Sequence, residues 1–130
     1  MKSILPKLLT LIAVLGIGAT AIADSRFEEV WTCDIRDGKT MDDVRAANSK
    51  WVVFINANVE GGDITSHIVT AIVGNTKTGH FLYVDSFPSL ASWSVAKSAL
   101  EGNEEGEAID AELDEAASCS ENRLYSSEES

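Results

Sequence analysis

Histidine, cysteine, proline and basic residues are scarce in this chain. Its 130 residues include two histidines, two cysteines and two prolines, and 10 lysines and arginines oppose 21 aspartates and glutamates, for a net charge of −11. An acidic surface repels the phosphates of nucleic acids and the headgroups of anionic membranes, so the composition argues against both as partners. The surplus of carboxylates favours solubility over a partner selected by charge.

The motifs that usually carry cofactors and metals are missing as well. The sequence has no G-x-G-x-x-G or P-loop pattern and no D-x-D-x-D-G calcium loop, and its serines stand in no nucleophile motif. The two cysteines form no C-x-x-C pair and neither histidine is near a cysteine, which leaves no metal motif. The sequence therefore identifies no catalytic residue, metal site or cofactor, and it leaves open whether the protein is an enzyme.

Residues 1–23 are typical of a secretory signal peptide. Lys2 and Lys7 precede an apolar run at 8–17, and an A-x-A cleavage pattern ends at Ala23. A transmembrane anchor is the alternative, but the apolar run is short for a membrane span. Cleavage after Ala23 would remove both lysines, take the net charge from −11 to −13 and leave one domain, 24–130. We expect this domain in the bacterial periplasm or the medium, with no membrane attachment.

Cys33 and Cys119 are expected to form a disulfide. Export places them in an oxidising compartment, where a single pair of cysteines usually becomes a structural bond. The bond would close most of the mature chain into one loop and stabilise it by about 3–5 kcal/mol in the chain-entropy model. A reactive thiol or a metal pair is the alternative.

The strongest structural signal is a β-hairpin at 64–87, where two apolar runs flank the segment GNTKTG. If Val73 faces His80 across the turn, one face is aliphatic and the other is aromatic and partly polar. The aliphatic face comprises Val69, Ala71, Val73, Leu82 and Val84, and the aromatic face comprises Ile68, Thr70, Ile72, Phe81, Tyr83, Asp85 and Phe87. We expect helices to pack on the aliphatic face. The aromatic face is too apolar for water and then needs a cover of its own.

Helix-capping patterns define the other elements. Thr40 followed by Asp43 resembles a capping box, Ser89 is a candidate N-cap, and Gly102-Asn103 splits the second helix. The predicted elements are strands at 27–35, 64–73, 80–87 and 122–126 and helices at 41–57, 90–100 and 104–117. This order predicts an α+β, ferredoxin-like β-α-β-β-α-β fold, in which a four-stranded antiparallel sheet has helices on one face. Its first and last strands are neighbours, which would bring Cys33 beside Cys119.

The chain resembles the dimeric α+β barrel superfamily over residues 26–125. The resemblance lies in the element order and in two segments, CDIRDGKTMDDVRAANSKW and FLYVDSFPSLASW, in which a strand leads into a helix that carries a tryptophan. The superfamily includes stress-responsive, antibiotic-biosynthesis-monooxygenase-like and NIPSNAP-like proteins, and a looser likeness joins the chain to exported proteins of marine bacteria. The resemblance implies a homodimer paired through the open sheet faces, with a small apolar ligand between sheet and partner.

Four residues are the candidates for ligand binding. Tyr83 and Asp85 are neighbours on the aromatic face with Thr70 and Ile68 opposite, and a carboxylate on such a face can have a raised pKa and act as a base. His67 is the candidate haem ligand, because haem-handling members of the superfamily use a histidine. The alternative for Asp85 is an ion pair across the dimer, and for His67 it is a solvent-exposed strand end.

The sequence thus predicts an exported homodimer that binds a small, mostly apolar molecule without recognisable catalysis. A monooxygenase-like or haem-linked oxidoreductase that uses Tyr83, Asp85 or His67 is one alternative. A purely structural or interaction dimer is the other.

Overall fold

The computed structural model describes residues 25–74 and 76–128, so the predicted signal peptide lies outside the described residues. The elements are β1 (Arg26–Ile35), α1 (Met41–Asn58), β2 (Thr65–Val69), β3 (His80–Phe87), α2 (Leu90–Ala99), α3 (Glu104–Ala116) and β4 (Ala117–Ser127). The strands form one antiparallel sheet in the order β2-β3-β1-β4. The predicted ferredoxin-like α+β fold, with its second helix split, is confirmed.

Each helix begins at a side chain that satisfies backbone amides. At the start of α1 the Thr40 side chain accepts a hydrogen bond from the Asp43 amide at 3.3 Å, and Asp43 Oδ2 accepts one from the Thr40 amide at 2.7 Å. At the starts of α2 and α3, the Ser89 side chain accepts from the Ser92 amide and the Asn103 side chain accepts from the Glu105 and Gly106 amides. Such caps stabilise a helix by about 1 kcal/mol each and fix the residue at which it begins.

The helices cover the aromatic face of the sheet, so the prediction that they pack on the aliphatic face is wrong. Phe81, Tyr83 and Phe87 are 1%, 6% and 0% exposed. The Phe87 ring meets Trp51 of α1 edge-on, with centroids 6.5 Å apart. Burial of one large apolar side chain is worth about 1.5–3 kcal/mol, so the face with three aromatic rings gains more from the helices than the aliphatic face does. We call this side the helix-covered face.

The opposite side, which we call the open face, carries the aliphatic residues. Of the described residues, none forms a helix over it. Leu82 and Val84 of β3 are half-buried there, and Val69 at the end of β2 is 43% exposed. Strand alternation and register define the face as Arg26, Glu28, Val30, Thr32, Asp34, Thr65, His67, Val69, His80, Leu82, Val84, Ser86, Ser118, Glu121, Arg123, Tyr125 and Ser127.

The hairpin turn is longer than predicted. Strand β2 ends at Val69, which pairs with Leu82, and this register differs by two residues from the one in which Val73 faces His80. A shift of two residues keeps every side chain on its face, because the period of a strand is two. The Ile35 amide of β1 donates to the Gly79 carbonyl at 2.8 Å, which holds the start of β3 to β1. Val73 is 82% exposed in the turn before it.

Strand β4 is also longer than predicted, since it begins at Ala117 directly after α3. Cys33 of β1 and Cys119 of β4 are register partners and form a disulfide, next to a bulge between Thr32 and Cys33. Structural disulfides are typical of proteins in oxidising compartments. Over 25–74 and 76–128, no helix has the length and hydropathy to cross a membrane.

Candidate functional site

A cavity of about 140 Å³ lies between the helix-covered face and the helices. A cavity of about 150 Å³ can hold benzene, so this one has room for a molecule of about one ring. Aromatic rings, carboxylates and one lysine stand together in its lining. The residues that matter for its chemistry are Trp31, Trp51, Tyr83, Asp85, Lys97 and Asp110.

Trp31 of β1 and Tyr83 and Asp85 of β3 form the sheet side of the cavity, and Glu29 of β1 lies next to them in the sheet. Glu29 pairs with Asp85, and Trp31 pairs with Tyr83. Side chains of directly opposite residues on one face of a sheet lie about 5 Å apart at their Cβ atoms. The sheet therefore places two carboxyl groups side by side, next to two aromatic rings.

Glu29 is a buried carboxylate held by three donors. It is 1% exposed, and its Oε2 atom lies 2.8 Å from Lys97 Nζ and 3.2 Å from Trp93 Nε1, which donates to it. Its Oε1 atom accepts a hydrogen bond from Asn122 Nδ2 at 2.7 Å. A buried charge is tolerated when it is paired and hydrogen-bonded, and Glu29 meets both conditions.

Lys97 of α2 lines the cavity and forms an ion pair with Glu29 of the sheet. Its ammonium group pairs with Glu29 and lies 4.7 Å from the centroid of the Trp31 ring, which is within the range of a cation–π interaction. The side chain is 40% exposed. The negative charge of Glu29 thus balances the positive charge of Lys97.

Among the described residues, Asp85 is the titratable group whose pKa the fold shifts furthest. It is 7% exposed, and burial raises its pKa from 3.8 to about 7. The nearby Ser66 hydroxyl lowers this pKa, the charge of Glu29 raises it and that of Lys97 lowers it. Asp85 therefore exchanges a proton near neutral pH, while most aspartates are ionised there.

Tyr83 supplies a hydroxyl group beside this carboxyl group. Burial, and then the negative charge of Asp85, raise the pKa of Tyr83 to about 12, so the hydroxyl keeps its proton. Within the described part of the chain, neither the Tyr83 hydroxyl nor Asp85 Oδ1 has a hydrogen-bond partner. A buried polar atom without a partner costs about 1–3 kcal/mol, and most such atoms in native proteins are satisfied by something. Both atoms belong to residues that line the cavity.

The structure brings together two of the four predicted site residues. Tyr83 and Asp85 line the cavity, whereas His67 lies on the open face and Thr70 lies in the exposed turn after β2. Thr70 was expected opposite Tyr83, but the observed register places Ile68 there. His67 and Thr70 are therefore not part of this cavity.

Glu29 and Lys97 are the residues that sequence reasoning missed. Glu29 alternates with Phe27, Trp31 and Cys33 in a strand whose face is otherwise apolar, and a carboxylate at such a position needs a partner. A carboxylate at that position was the signal in the sequence that could have identified Glu29 as a buried, paired residue. The partner could not be read from the sequence, because Lys97 is on a helix 68 residues later.

The sequence matches no protein-family model and no curated protein. Solved structures do share its fold. SnoaB from Streptomyces nogalater, a cofactor-independent oxygenase, is 9% identical, with 82% of this chain and 96% of that chain covered and a TM-score of 0.56. A NIPSNAP family protein from Agrobacterium tumefaciens is 19% identical, with 79% and 85% covered and a TM-score of 0.55.

A candidate antibiotic biosynthesis monooxygenase from Caulobacter crescentus is 11% identical, with 82% and 92% covered and a TM-score of 0.53. At these identities the similarity shows the fold alone. The chain is a ferredoxin-like α+β protein, and the predicted resemblance to monooxygenase-like and NIPSNAP-like domains is confirmed at the level of the fold.

Proposed function

We propose that the protein binds a small, single-ring molecule in the cavity between sheet and helices. One observation carries the proposal: the Tyr83 hydroxyl and Asp85 Oδ1 are buried without a partner among the described residues, and both residues line a cavity that also has Trp31 and Trp51 in its wall. Ligand sites in proteins are typically concave and mostly apolar, with a few polar groups that orient the ligand. A bound molecule with one hydrogen-bonding group would satisfy both atoms and bury its ring against Trp31 and Trp51.

Native mass spectrometry of the protein purified from its own host tests this proposal. We expect a co-purifying small molecule that is released by denaturation. Tyr83→Phe removes only the hydroxyl and should lower the bound fraction, because one hydrogen bond is worth about 0.5–1.5 kcal/mol. His67→Ala, on the open face, is the matched control and should retain the molecule. Protein that carries no ligand in the wild type and in both variants would contradict the proposal.

A second candidate function is an oxidoreductase in which Asp85 acts as a general base. A general base works best with a pKa near the working pH, and the pKa of Asp85 is about 7. SnoaB, which has the same fold, is a cofactor-independent oxygenase. The haem-linked version of this hypothesis uses His67, and it would place the haem on the open face rather than in the cavity.

We also propose that the protein is exported and that two copies pair through their open faces. The apolar core of that face is formed by Val30, Leu82 and Val84 on the two central strands, with Val69 beside them. This is the face opposite to the one that the sequence analysis assigned to the dimer. The disulfide and the signal-like start of the sequence support export.

Val84→Lys should convert the dimer into a monomer. Val84 is on the central strand β3, between Val30 of β1 and His67 of β2, so a lysine there would place a charge in the middle of the paired faces. Light scattering coupled to size exclusion measures the mass. Val53→Lys is the control, since Val53 is 71% exposed on α1. A wild type that stays monomeric at high concentration, or a Val84→Lys variant that stays dimeric, would contradict the pairing.

A further inference from the structure

We infer that the cavity selects small organic cations, of which a single-ring amine is the simplest case, over neutral and anionic molecules of the same shape. This inference rests on the proposed function, because it names the class of molecule that the same cavity takes. It assigns the ammonium group a position between the Tyr83 hydroxyl and the Asp85 carboxylate.

The charges around the cavity are mostly negative. Asp110 and Asp114 of α3 line it together with Asp85, and Lys97 is its only basic residue among those described. Lys97 is paired with the buried Glu29 at 2.8 Å, so its charge is matched before any ligand is considered. The remaining carboxyl groups would attract a cation and repel a carboxylate.

The unpartnered atoms fit an ammonium group. Tyr83 and Asp85 are 6% and 7% exposed, and both the hydroxyl and Oδ1 lack a partner within residues 25–74 and 76–128. An ammonium group has three donors and no acceptor, so it can donate to the carboxylate and to the hydroxyl oxygen together. Both bonds bring a positive charge to an oxygen atom, and charge-assisted hydrogen bonds are about twice as strong as neutral ones.

Three aromatic side chains form part of the wall. Trp51 and Tyr83 line the cavity, and Trp31 already has the Lys97 ammonium 4.7 Å from its ring centroid. Cations are attracted to the faces of aromatic rings, and this attraction grows when water is excluded. The contact of Lys97 with Trp31 shows that this environment accepts an ammonium group.

Binding of a cation should release a proton from Asp85. The ionised form is the better partner for an ammonium group, so affinity should rise with pH up to about 7, by as much as about tenfold per pH unit. The groups that face Asp85 or line its cavity must be counted with it. They are Glu28 and Glu29 of β1, Ser66 of β2, Tyr83 of β3, Lys97 of α2, and Asp110 and Asp114 of α3.

Three probes of matched shape test the inference: benzylamine, benzyl alcohol and benzoate. Calorimetric titration at pH 5.5, 6.5 and 7.5, in buffers that differ in ionisation enthalpy, gives both the affinity and the number of protons released. We expect benzylamine to bind at least about tenfold more tightly than benzyl alcohol at pH 7.5, with proton release at pH 6.5. Benzoate should bind most weakly.

Two aspartate-to-asparagine variants separate Asp85 from the general acidity of the protein. Asp85→Asn should weaken benzylamine binding about tenfold or more and abolish its proton release, while benzyl alcohol binding changes little. Asp34→Asn, on the open face, should change neither. Equal or tighter binding of benzyl alcohol or benzoate overturns the inference, as does unchanged benzylamine binding in Asp85→Asn. If no probe binds but a molecule co-purifies from the host, the cation class fails and the proposed function stands.

Discussion

Asp85→Asn is expected to raise the free energy of unfolding by about 2–4 kcal/mol at pH 8 and to change it little at pH 4.5. In the wild type, burial raises the pKa of Asp85 from 3.8 to about 7. At pH 8 the folded protein must therefore hold a buried negative charge beside Glu29, and this charge is better solvated in the unfolded chain. Asparagine keeps the shape of the side chain and carries no charge.

The sign follows from proton binding. Because the folded pKa exceeds the unfolded one, the folded state holds more protons between pH 4 and pH 7, and stability falls as pH rises through that window. The stabilising contribution of the neutral carboxyl group is complete below about pH 4 and is lost above about pH 7. A displacement of about three units at about 1.4 kcal/mol per unit sets the upper end of the expected gain.

Urea unfolding of the wild type and the variant at pH 4.5, 6 and 8 measures this effect. Asp34→Asn is the matched control on the open face. The pKa of Asp34 is lowered, first by its hydrogen bond with Lys77, so neutralising it should give no gain at pH 8. A stability difference for Asp85→Asn that is the same at pH 4.5 and pH 8 would show that the carboxyl group titrates normally in the folded protein.

The element order could be predicted from the sequence because its signals are local. Thr40 and Asp43 form the capping box that the pattern indicated, and Ser89 caps the helix after Phe87. Strand alternation correctly grouped Phe81, Tyr83, Asp85 and Phe87 on one face. None of these inferences required knowledge of distant contacts.

The choice of covered face could not be predicted in the same way. Alternation says which residues share a face, but it does not say which face the helices take. That depends on the fit of Trp51 and Phe54 of α1 to the aromatic side chains of the sheet, and this fit is a property of packed side chains. The assignment of the dimer to the aromatic face failed for this reason.

Two residues of the candidate site could be predicted from the sequence, and two could not. Tyr83 and Asp85 stood out because they are polar groups on an apolar strand face. Glu29 and Lys97 complete the charge arrangement from 56 residues before Asp85 and 12 residues after it, and only the folded sheet and α2 bring them together. Thr70 was wrongly placed opposite Tyr83 because the length of the turn could not be read from its composition.

Replacing both cysteines, Cys33→Ala with Cys119→Ala, should lower the free energy of unfolding by about 3–5 kcal/mol. The disulfide joins residues separated by 86 positions, so it removes a large amount of freedom from the unfolded chain. It also fixes β4 to β1 at the bulge, where the register between the two strands changes. The sheet ladder alone would have to hold β4 in the variant.

Reduction of the wild type separates the cross-link from side-chain packing. Cys33 is 1% exposed, so its replacement by alanine also leaves a small space beside Phe81 and Val44. Reduced wild type keeps both sulfur atoms, and its loss of stability relative to the oxidised protein reports the bond alone. We expect this loss to account for most of the effect of the double variant, which should not respond to reductant. Equal stability of oxidised and reduced wild type would contradict a structural role.

Loss of the disulfide should also loosen the side chains around the cavity, because β4 carries one of the three donors to Glu29. Asn122 of β4 donates to Glu29 Oε1 at 2.7 Å, and Cys119 lines the cavity itself. A more mobile β4 would let water reach Glu29 and Asp85 and so bring the pKa of Asp85 closer to its usual value. The gain from Asp85→Asn at pH 8 should therefore shrink in the cysteine-free background, and a double-mutant cycle measures the difference. Full additivity of the two effects would show that the bond stabilises the sheet without shaping the cavity.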